Sequence, residues 1–352
     1  MNDNSYLSGV IRDQLEAHSP VVLASIVSME GSSPRETGTK MIVAANGRSY
    51  GTIGGGVLEA AVIVRSKRVL QDVTSKLVAF DMDDSGGATE GMICGGKVEV
   101  LLDLIAPTEG NLELFEEMHD SIARGENLYF VTAFEGSGQT IDIIGHCLLF
   151  GDSTVSGDPI LGGPGTRGMK EELHNISSTT VLRRGNRQFV IDPVRKLRTL
   201  YCFGAGHVAV PTARTAAMVG FNVVVIDDRA EFANQERFPD AHTRVIGDFE
   251  QAVEGLQIDG DSFVVIVTRG HRFDRVVLQQ VINSSAAYIG MIGSRTKRDA
   301  IYRQLIVEGV ATARDLERVH CPIGLSIGAE TPEEIAISIV AELVQERGKL
   351  RP

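Results

Sequence analysis

The pattern of hydrophobic and polar positions divides the 352-residue chain into stretches of different period. Over Leu7–Ala17 the apolar residues recur every three or four positions, which predicts an amphipathic helix. The β-branched run Val21–Val27 predicts a buried strand, and short apolar runs on both sides of Asn46-Gly47 predict a hairpin. A helix over Val57–Leu70 and further strands follow, so residues 1–106 are predicted to form a mixed α+β domain.

The middle of the chain, residues 107–194, has a weaker pattern. One helix is predicted over Asn111–Ala123, and the apolar runs after it favour strands. Gly151–Gly168 is rich in Gly, Pro, Ser and Thr, which is typical of a long exposed loop. Because Asp192-Pro193 interrupts the apolar pattern, we interpret residues 107–194 as a β-rich region that connects two domains.

After Pro193 the chain alternates between apolar runs and amphipathic segments. The apolar runs predict five strands, at Thr199–Phe203, Asn222–Ile226, Thr243–Ile246, Ser262–Val267 and Ala286–Ile289. Strands that alternate with helices indicate a parallel sheet covered by helices on both faces. The predicted fold class is therefore α/β, with a Rossmann-like domain over residues 195–352 after the α+β domain.

A glycine motif joins the first of these strands to the next helix. Gly204-Ala205-Gly206-His207-Val208-Ala209 matches the pattern GxGxxG/A, in which the two glycines permit a tight turn and close approach of a pyrophosphate. Asp227 directly follows the second strand, 21 residues after Gly206, where an acidic side chain meets a ribose hydroxyl. His207 either contacts a phosphate or caps the helix. Arg229 is expected to pair with Asp228, with a 2′-phosphate as the alternative partner.

Two more polar loops follow predicted strands of the same sheet. The loop over residues 268–274 contains His271 and Asp274, which are expected to be solvated loop residues, with an acid–base pair as the alternative. In the next loop, Gly293-Ser294 leads into a basic helix start at Arg295, which favours an anion held by N–H groups and a guanidinium. A Rossmann fold that binds no dinucleotide is the alternative for the whole domain.

Composition and charge limit the function. A net charge of −12 argues against broad nucleic-acid binding, and no apolar run is long enough to span a membrane. Without a signal-peptide pattern, the protein is expected to be cytoplasmic. The four cysteines form no CxxC pair, and no Ser-His-Asp order, HExxH or P-loop is present, so we assign no metal site and no catalytic residue. Cys94, in a glycine-rich loop, is either a functional thiol or incidental.

The density and order of several motifs resemble the XdhC/CoxI family. The matching segments are residues 32–41, 51–59 and 94–96 in the first part of the chain, and 204–208, 227–229, 238–239, 288–295, 320–325 and 327–329 in the last. Two positions depart from the resemblance, because many members have Cys where Val57 stands and His where Arg269 stands. The first departure shifts any thiol role to Cys94.

This resemblance implies a molybdenum cofactor-binding maturation factor, a cofactor-insertion chaperone rather than a catalyst. Such a factor holds molybdopterin or its dinucleotide form, protects it during sulfuration by a cysteine desulfurase, and delivers it to an apo-molybdo-hydroxylase of the xanthine dehydrogenase type. A homodimer is expected. The expected cofactor-binding residues are Gly54, Gly55, Gly56, Cys94, Gly204, Gly206, His207, Asp227, Asp228, Arg229, His271, Gly293, Ser294 and Arg295. The alternatives are an NAD(P)- or FAD-dependent oxidoreductase and a dinucleotide-sensing regulatory module, so NAD(P) is a further candidate ligand.

Overall fold

The structure is a computed structural model that divides into two compact units, Asp3–Lys196 and Leu197–Pro352. It describes residues 3–31, 36–81, 96–137, 140–162, 168–173 and 176–350. The described part of the first unit contains α1 (Asp3–Glu16), β1 (Val21–Gly31), β2 (Lys40–Ala44), β3 (Ser49–Gly51), α2 (Gly56–Asp72), β4 (Lys76–Asp81), β5 (Gly96–Ile105), α3 (Glu109–Ala123), β6 (Leu128–Ser137), β7 (Thr140–Phe150), β8 (Val155–Gly157), α4 (Met169–Leu173), β9 (Thr180–Arg184) and β10 (Arg187–Val194).

The first unit is built on two antiparallel five-stranded sheets. Their strand orders are β3-β2-β1-β5-β4 and β8-β7-β6-β10-β9. Alternate residues of each strand face opposite sides, so β1 contributes Leu23 to a core that both sheets share with α1 and α3. Its neighbour Val22 belongs to a second core, which is covered by α2. This arrangement confirms the predicted mixed α+β character of the N-terminal part.

The segment after β7 differs only in part from its prediction as a long exposed loop. Val155–Gly157 forms the edge strand β8, which pairs antiparallel with β7. Ile160 and Leu161 are buried in the core on the outer face of the second sheet, together with Met169 of α4. Most of the described residues in 151–168 are exposed, as predicted, but the composition gave no signal for β8 or for the two buried apolar side chains.

The second unit contains the predicted parallel sheet. Its elements are β11 (Thr199–Phe203), α5 (Ala209–Met218), β12 (Asn222–Asp227), β13 (His242–Val245), β14 (Ser262–Ile266), α6 (His271–Val281), β15 (Tyr288–Met291), α7 (Arg295–Val307), α8 (Ala313–Leu316), β16 (Val319–His320) and α9 (Pro332–Lys349). The strands are all parallel, in the order β13-β12-β11-β14-β15-β16. This is the doubly wound Rossmann order, which confirms the predicted fold class.

The two faces of this sheet are covered by different helices. α5 and α9 pack on one face, where Ala213 and Ile339 share a core with Cys202 of β11. α6 and α7 pack on the other, where Leu278 and Leu305 share a core with Phe203. Neighbouring residues of one strand thus enter opposite cores, as expected for a strand buried on both faces.

The last helix, α9, begins at a sequence pattern that is typical of a helix start. Thr331 and Glu334 form a capping box, with Pro332 in the first turn. Gly348 does not end the helix, because α9 continues through it to Lys349. Across the described ranges, no helix combines the length and apolar character needed to cross a bilayer.

Candidate functional site

The loops at the carboxyl edge of the parallel sheet bring most of the predicted site residues to one edge. In an open doubly wound sheet, ligands bind outside this edge, at the point where the strand order reverses. Here that point lies between β11 and β14, which are neighbours in the sheet although β12 and β13 separate them along the chain. The loops after these two strands, residues 204–208 and 267–270, therefore flank the expected ligand crevice.

The two glycines of the motif have different roles. Gly204 has φ 108°, and a Cβ atom there would lie 2.4 Å from the carbonyl oxygen of Val267. A Cβ on Gly206 would meet none of the described residues within 4 Å. Gly204 is thus required by the turn and by close packing against the neighbouring strand, whereas Gly206 keeps space open in front of α5. The first-turn N–H groups of α5 have no carbonyl partner within their helix, so they can bind an anion.

Asp227 does not present a free carboxylate at this edge. Its side chain is only 1% exposed. One oxygen accepts hydrogen bonds from the Ala205 N–H at 2.8 Å and Arg229 Nη2 at 3.0 Å, and the other from the Arg229 N–H at 3.1 Å and Nε at 2.8 Å. Burial raises the pKa of Asp227, but these hydrogen bonds outweigh it and the pKa lies below its ordinary value. Asp227 therefore holds the glycine loop in place through a hydrogen bond to its backbone.

Arg229 therefore has a different main partner from the one expected. It makes its close contacts with Asp227, while Asp228 lies 3.8 Å from Nε. The reason is that the chain turns after β12, which brings the Arg229 backbone and side chain back onto the last carboxylate of the strand. The guanidinium also lies over the ring of Phe232, 3.8 Å from its centroid. Arg229 is thus held in place without a ligand.

Asp228 pairs with Arg269, which was not among the predicted site residues. Arg269 donates to both of its carboxylate oxygens, at 2.6 and 2.7 Å. These residues follow β12 and β14, which flank β11 in the sheet, so the pair spans the end of β11 beside the glycine loop. Arg269 remains 38% exposed, with its guanidinium over the Phe273 ring. The sequence feature that could have identified Arg269 is its position just after the predicted strand Ser262–Val267, at the switch point.

His271 and Asp274 do not share one environment. Asp274 is fully buried, and one of its oxygens accepts from the Thr268 hydroxyl at 2.6 Å and the Thr268 N–H at 3.2 Å. The other carboxylate oxygen accepts from Lys297. Burial raises the pKa of Asp274, and these partners offset only part of that rise. The prediction of a solvated Asp274 is therefore wrong, while His271 is exposed at the first position of α6.

The remaining predicted residues of this edge lie at helix starts. Ser294 is the N-cap of α7, and its hydroxyl accepts a hydrogen bond from the Lys297 N–H at 3.2 Å. Arg295 is exposed as the first residue of that helix, directly after Gly293-Ser294. His207 is exposed just before α5. These side chains border the edge from two helix N-termini, which favour anions.

Three guanidinium groups lie near the glycine loop although the chain as a whole is acidic. Arg237 donates to the Ala205 carbonyl oxygen at 2.9 Å, next to the Arg229–Asp227 contacts. Together with Arg269, three guanidinium groups therefore lie near the carboxylates of Asp227 and Asp228. Glu231 also acts on Arg229, so this set carries no net charge, and an anion would be bound through the paired N–H donors of a guanidinium.

The triple-glycine turn lies in the first unit and already holds a carboxylate. Gly54, Gly55 and Gly56 have φ values of 121°, 74° and 65°, which glycine adopts without strain. One oxygen of Glu59 accepts from the Gly55 N–H at 3.1 Å and the Ile53 N–H at 3.2 Å. This backbone turn therefore binds a carboxylate of its own chain. Cys94 lies outside the described residues.

Glu59→Ala is expected to lower the free energy of unfolding by about 1–2 kcal/mol, because it removes the acceptor that serves these N–H groups at the start of α2. Glu59→Gln keeps a neutral oxygen acceptor and is expected to cost less. Urea denaturation of both variants measures the effect. Equal stability of Glu59→Ala and the wild type would contradict this role.

The described cysteines are buried thiols. Burial raises the pKa of Cys147 and Cys202 to about 12 and that of Cys321 to about 11. At neutral pH they are protonated, and Cys147 and Cys202 are core residues. Over the described ranges, no group of three or more His, Cys, Asp or Glu side chains could hold a metal ion.

Two family descriptions match separate parts of the chain. Residues 200–343 match the XdhC Rossmann domain, which covers nearly all of the parallel sheet and the edge described above. Residues 14–81 match the XdhC and CoxI family, and this range includes the triple-glycine turn. The segment between them, residues 82–199, lies outside both matches.

Individual proteins show the same relationship over nearly the full chain. A Bacillus subtilis protein described as a probable xanthine dehydrogenase subunit is 29% identical over 359 residues, covering 99% of this chain and 98% of that protein. The Escherichia coli protein YqeB is 30% identical over 331 residues, and the match covers 94% of this chain but 44% of YqeB. A crystal structure of a xanthine dehydrogenase from Bacillus halodurans has a TM-score of 0.79 at 26% identity, with 97% of this chain and 96% of that chain covered.

Proposed function

The chain belongs to the XdhC and CoxI family, and from this membership we propose that it is a maturation factor for a molybdo-hydroxylase of the xanthine dehydrogenase type. In this proposal it binds the molybdenum cofactor, as molybdopterin or its dinucleotide form, protects it and delivers it to the apo-enzyme. The names of the Bacillus relatives, which refer to xanthine dehydrogenase, support the choice of recipient. The observation that carries the proposal is the open, arginine-rich edge beside Gly204 and Gly206.

This edge fits the phosphate-bearing end of such a cofactor. The first-turn N–H groups of α5 and the guanidinium of Arg269 are the groups that would bind its phosphate oxygens. His207, His271, Gly293, Ser294 and Arg295 border the same edge as further proposed contacts. The cofactor would supply the molybdenum centre that the recipient enzyme needs. The chain would supply binding, orientation and shelter, in the cytoplasm and as a homodimer that also meets a cysteine desulfurase.

Asp228 acts in this proposal as an internal competitor for the ligand phosphate. Its carboxylate occupies both outer nitrogens of Arg269, the geometry that a phosphate would also use. A bound phosphate would release Asp228, which is then free to accept a hydrogen bond from a ribose hydroxyl. Asp228, rather than the buried Asp227, is therefore our candidate for the ribose contact.

Arg269→Gln is expected to weaken binding of inorganic pyrophosphate about tenfold, because one charged donor pair is lost. Asp228→Asn is expected to strengthen it, because the competing charge is removed. Isothermal titration of the full chain measures both effects. Arg272→Gln is the matched control, since Arg272 is 74% exposed and lies 3.9 Å from Glu250. A loss in the control equal to that in Arg269→Gln would contradict the assignment.

The Rossmann strand order and glycine motif also favour a second candidate, a dinucleotide-binding oxidoreductase or sensor that uses NAD(P) or FAD. A thermal-shift panel of NAD, NADP, FAD and molybdopterin species separates these functions, because a ligand that binds the native state raises Tm. We expect the pterin species to raise Tm most. A rise with NAD(P) or FAD alone would favour the second candidate.

A further inference from the structure

A lysine–aspartate pair joins two helix starts at the carboxyl edge of the parallel sheet. Asp274 lies in the first turn of α6 and Lys297 in the first turn of α7, and these helices follow the neighbouring strands β14 and β15. The Asp274 side chain is fully buried, and that of Lys297 is 25% exposed. The Lys297 ammonium donates to one carboxylate oxygen of Asp274 and, at 3.2 Å, to the Ile292 carbonyl oxygen. Neither charged residue is among the proposed ligand contacts.

The loop after β15 is shaped around the Lys297 side chain. A Cβ on Gly293 would lie 2.8 Å from Cδ of Lys297, so glycine leaves room for this side chain to fold back across the loop. The Lys297 N–H donates to the Ser294 hydroxyl at 3.2 Å. Both the backbone and the ammonium of Lys297 are therefore held in place before any ligand binds.

The second oxygen of Asp274 holds the loop after β14. It accepts hydrogen bonds from the Thr268 hydroxyl at 2.6 Å and from the Thr268 N–H at 3.2 Å. Thr268 directly precedes Arg269, so these bonds fix the backbone from which the Arg269 side chain starts. A Cβ on Gly204 would lie 2.9 Å from Cα of Thr268, so this backbone also packs against the glycine turn. Asp274 thus connects Lys297 to the residue before Arg269.

The first turn of α6 also contacts the Arg269 side chain. Its guanidinium lies over the ring of Phe273, 4.6 Å from the centroid, and Phe273 is the neighbour of Asp274 in sequence. The Phe273 ring packs in turn on Phe249, with centroids 5.0 Å apart. Because the backbone before Arg269 and its guanidinium contact the same helical turn, a shift of that turn would move the guanidinium.

The charge of Lys297 determines how strongly Asp274 can hold this loop. Burial raises the pKa of Asp274, and the Lys297 ammonium opposes that rise. An ionised carboxylate accepts stronger hydrogen bonds than a neutral acceptor does. Without the ammonium, a buried carboxylate would become protonated or would remain as an unpaired charge, and either change weakens the contacts to Thr268.

We propose that Lys297 and Asp274 are positioning residues for Arg269. Lys297 keeps Asp274 a charged acceptor, Asp274 fixes the backbone at Thr268, and Arg269 is thereby presented at the edge beside the glycine loop. This inference rests on the proposed function, in which Arg269 binds a phosphate group of the ligand. Lys297 acts on that phosphate through Arg269 and does not contact it.

Lys297→Met is expected to weaken binding of inorganic pyrophosphate about three- to tenfold, the loss expected when a hydrogen bond that holds a ligand group is weakened. Asp274→Asn/Lys297→Met removes both charges, while asparagine keeps an oxygen that can accept from Thr268, so binding should return to within about twofold of the wild type. Lys349→Met, which breaks an exposed pair with Glu346, is the matched control and should leave affinity unchanged. Isothermal titration of the full chain measures all three.

A double variant that binds as weakly as Lys297→Met would show that the ammonium contacts phosphate directly, and would overturn the proposal. In an Arg269→Gln background, Lys297→Met should change affinity less than about twofold, because the residue through which it acts is gone. A full effect in that background would also overturn the proposal. Thr268→Val removes only the hydroxyl donor and keeps the test valid if Lys297→Met does not fold. It should weaken binding about two- to fivefold, and unchanged affinity would contradict the role of Asp274.

Hydrogen exchange without ligand separates this inference from the proposed function. Amides of residues 268–270 should exchange about three- to tenfold faster in Lys297→Met than in the wild type, and at nearly the wild-type rate in the double variant. Equal exchange in the wild type and Lys297→Met would overturn the positioning role. If the exchange rates follow this pattern but the wild type binds no pyrophosphate, the positioning of the loop stands and phosphate binding by Arg269 is wrong.

Discussion

Gly204→Ala is expected to lower the free energy of unfolding by about 2–6 kcal/mol. This range combines two costs of about 1–3 kcal/mol each, one for an L-residue in an unfavourable backbone conformation and one for overpacking. Gly204 has φ 108°, and its new Cβ would lie 2.4 Å from the Val267 oxygen and 2.7 Å from the Val267 carbonyl carbon. These are backbone atoms of the neighbouring strand end, so they cannot rotate away.

Gly206→Ala is the matched control for this substitution. Nothing in the described ranges lies within 4 Å of a Cβ at that position, so the change in stability should stay within about 0.5 kcal/mol. Its methyl group would nevertheless occupy the space that the proposed ligand needs, so phosphate binding should weaken. Urea denaturation measures stability and isothermal titration measures binding. If both alanine variants lose the same stability, the distinct roles of the two glycines are wrong.

Asp103→Leu is expected to cost about 3–5 kcal/mol of stability, because it leaves His146 buried without its charge partner. The double variant Asp103→Leu/His146→Leu removes both polar groups and should recover most of that loss. Chemical denaturation of the wild type, the single variant and the double variant measures this difference. A double variant as unstable as the single one would show that packing, rather than the ionic pair, sets the cost.

The same pair predicts how stability depends on pH. Burial lowers the pKa of His146, but the Asp103 carboxylate more than offsets it, so the pKa in the folded protein lies above the ordinary value. The charged pair therefore contributes fully below the unfolded pKa of about 6.5, and this contribution is lost as pH rises through the folded pKa. The difference in free energy of unfolding between the wild type and Asp103→Leu should therefore decrease as pH rises through the folded pKa of His146. If this difference increases as pH rises, the upward shift of the His146 pKa is wrong.

The regular part of the fold could be predicted because its signals are local. Continuous apolar strands, a helix after each, and the glycine turn at Gly204 specify the parallel sheet and its carboxyl edge. The hairpin around Asn46-Gly47 and the capping box before α9 are equally local. In each case the residues that form the element lie within a few positions of one another.

The site details depend on partners that are distant in sequence. Asp274 is buried and paired with Lys297, 23 positions away in sequence. Asp228 is paired with Arg269, 41 positions away, on the other side of the switch point. The Asp103–His146 pair likewise joins strands of two different sheets. A single sequence gives the charge of each residue but not the partner that the topology brings to it. The sequence identified Asp227 as the acidic residue at a strand end, but it did not show that this carboxylate hydrogen-bonds to the glycine loop.

Cofactor binding at the edge of the parallel sheet is tested most directly by the ligand that the purified protein carries. Wild-type chain and Gly206→Val, both purified from a host that makes the molybdenum cofactor, are assayed for released pterin and for molybdenum. We expect the wild type to carry both and Gly206→Val, folded with an unchanged Tm, to carry little of either. The absence of pterin and molybdenum from the wild type, or equal amounts in the two proteins, would contradict cofactor binding at this edge.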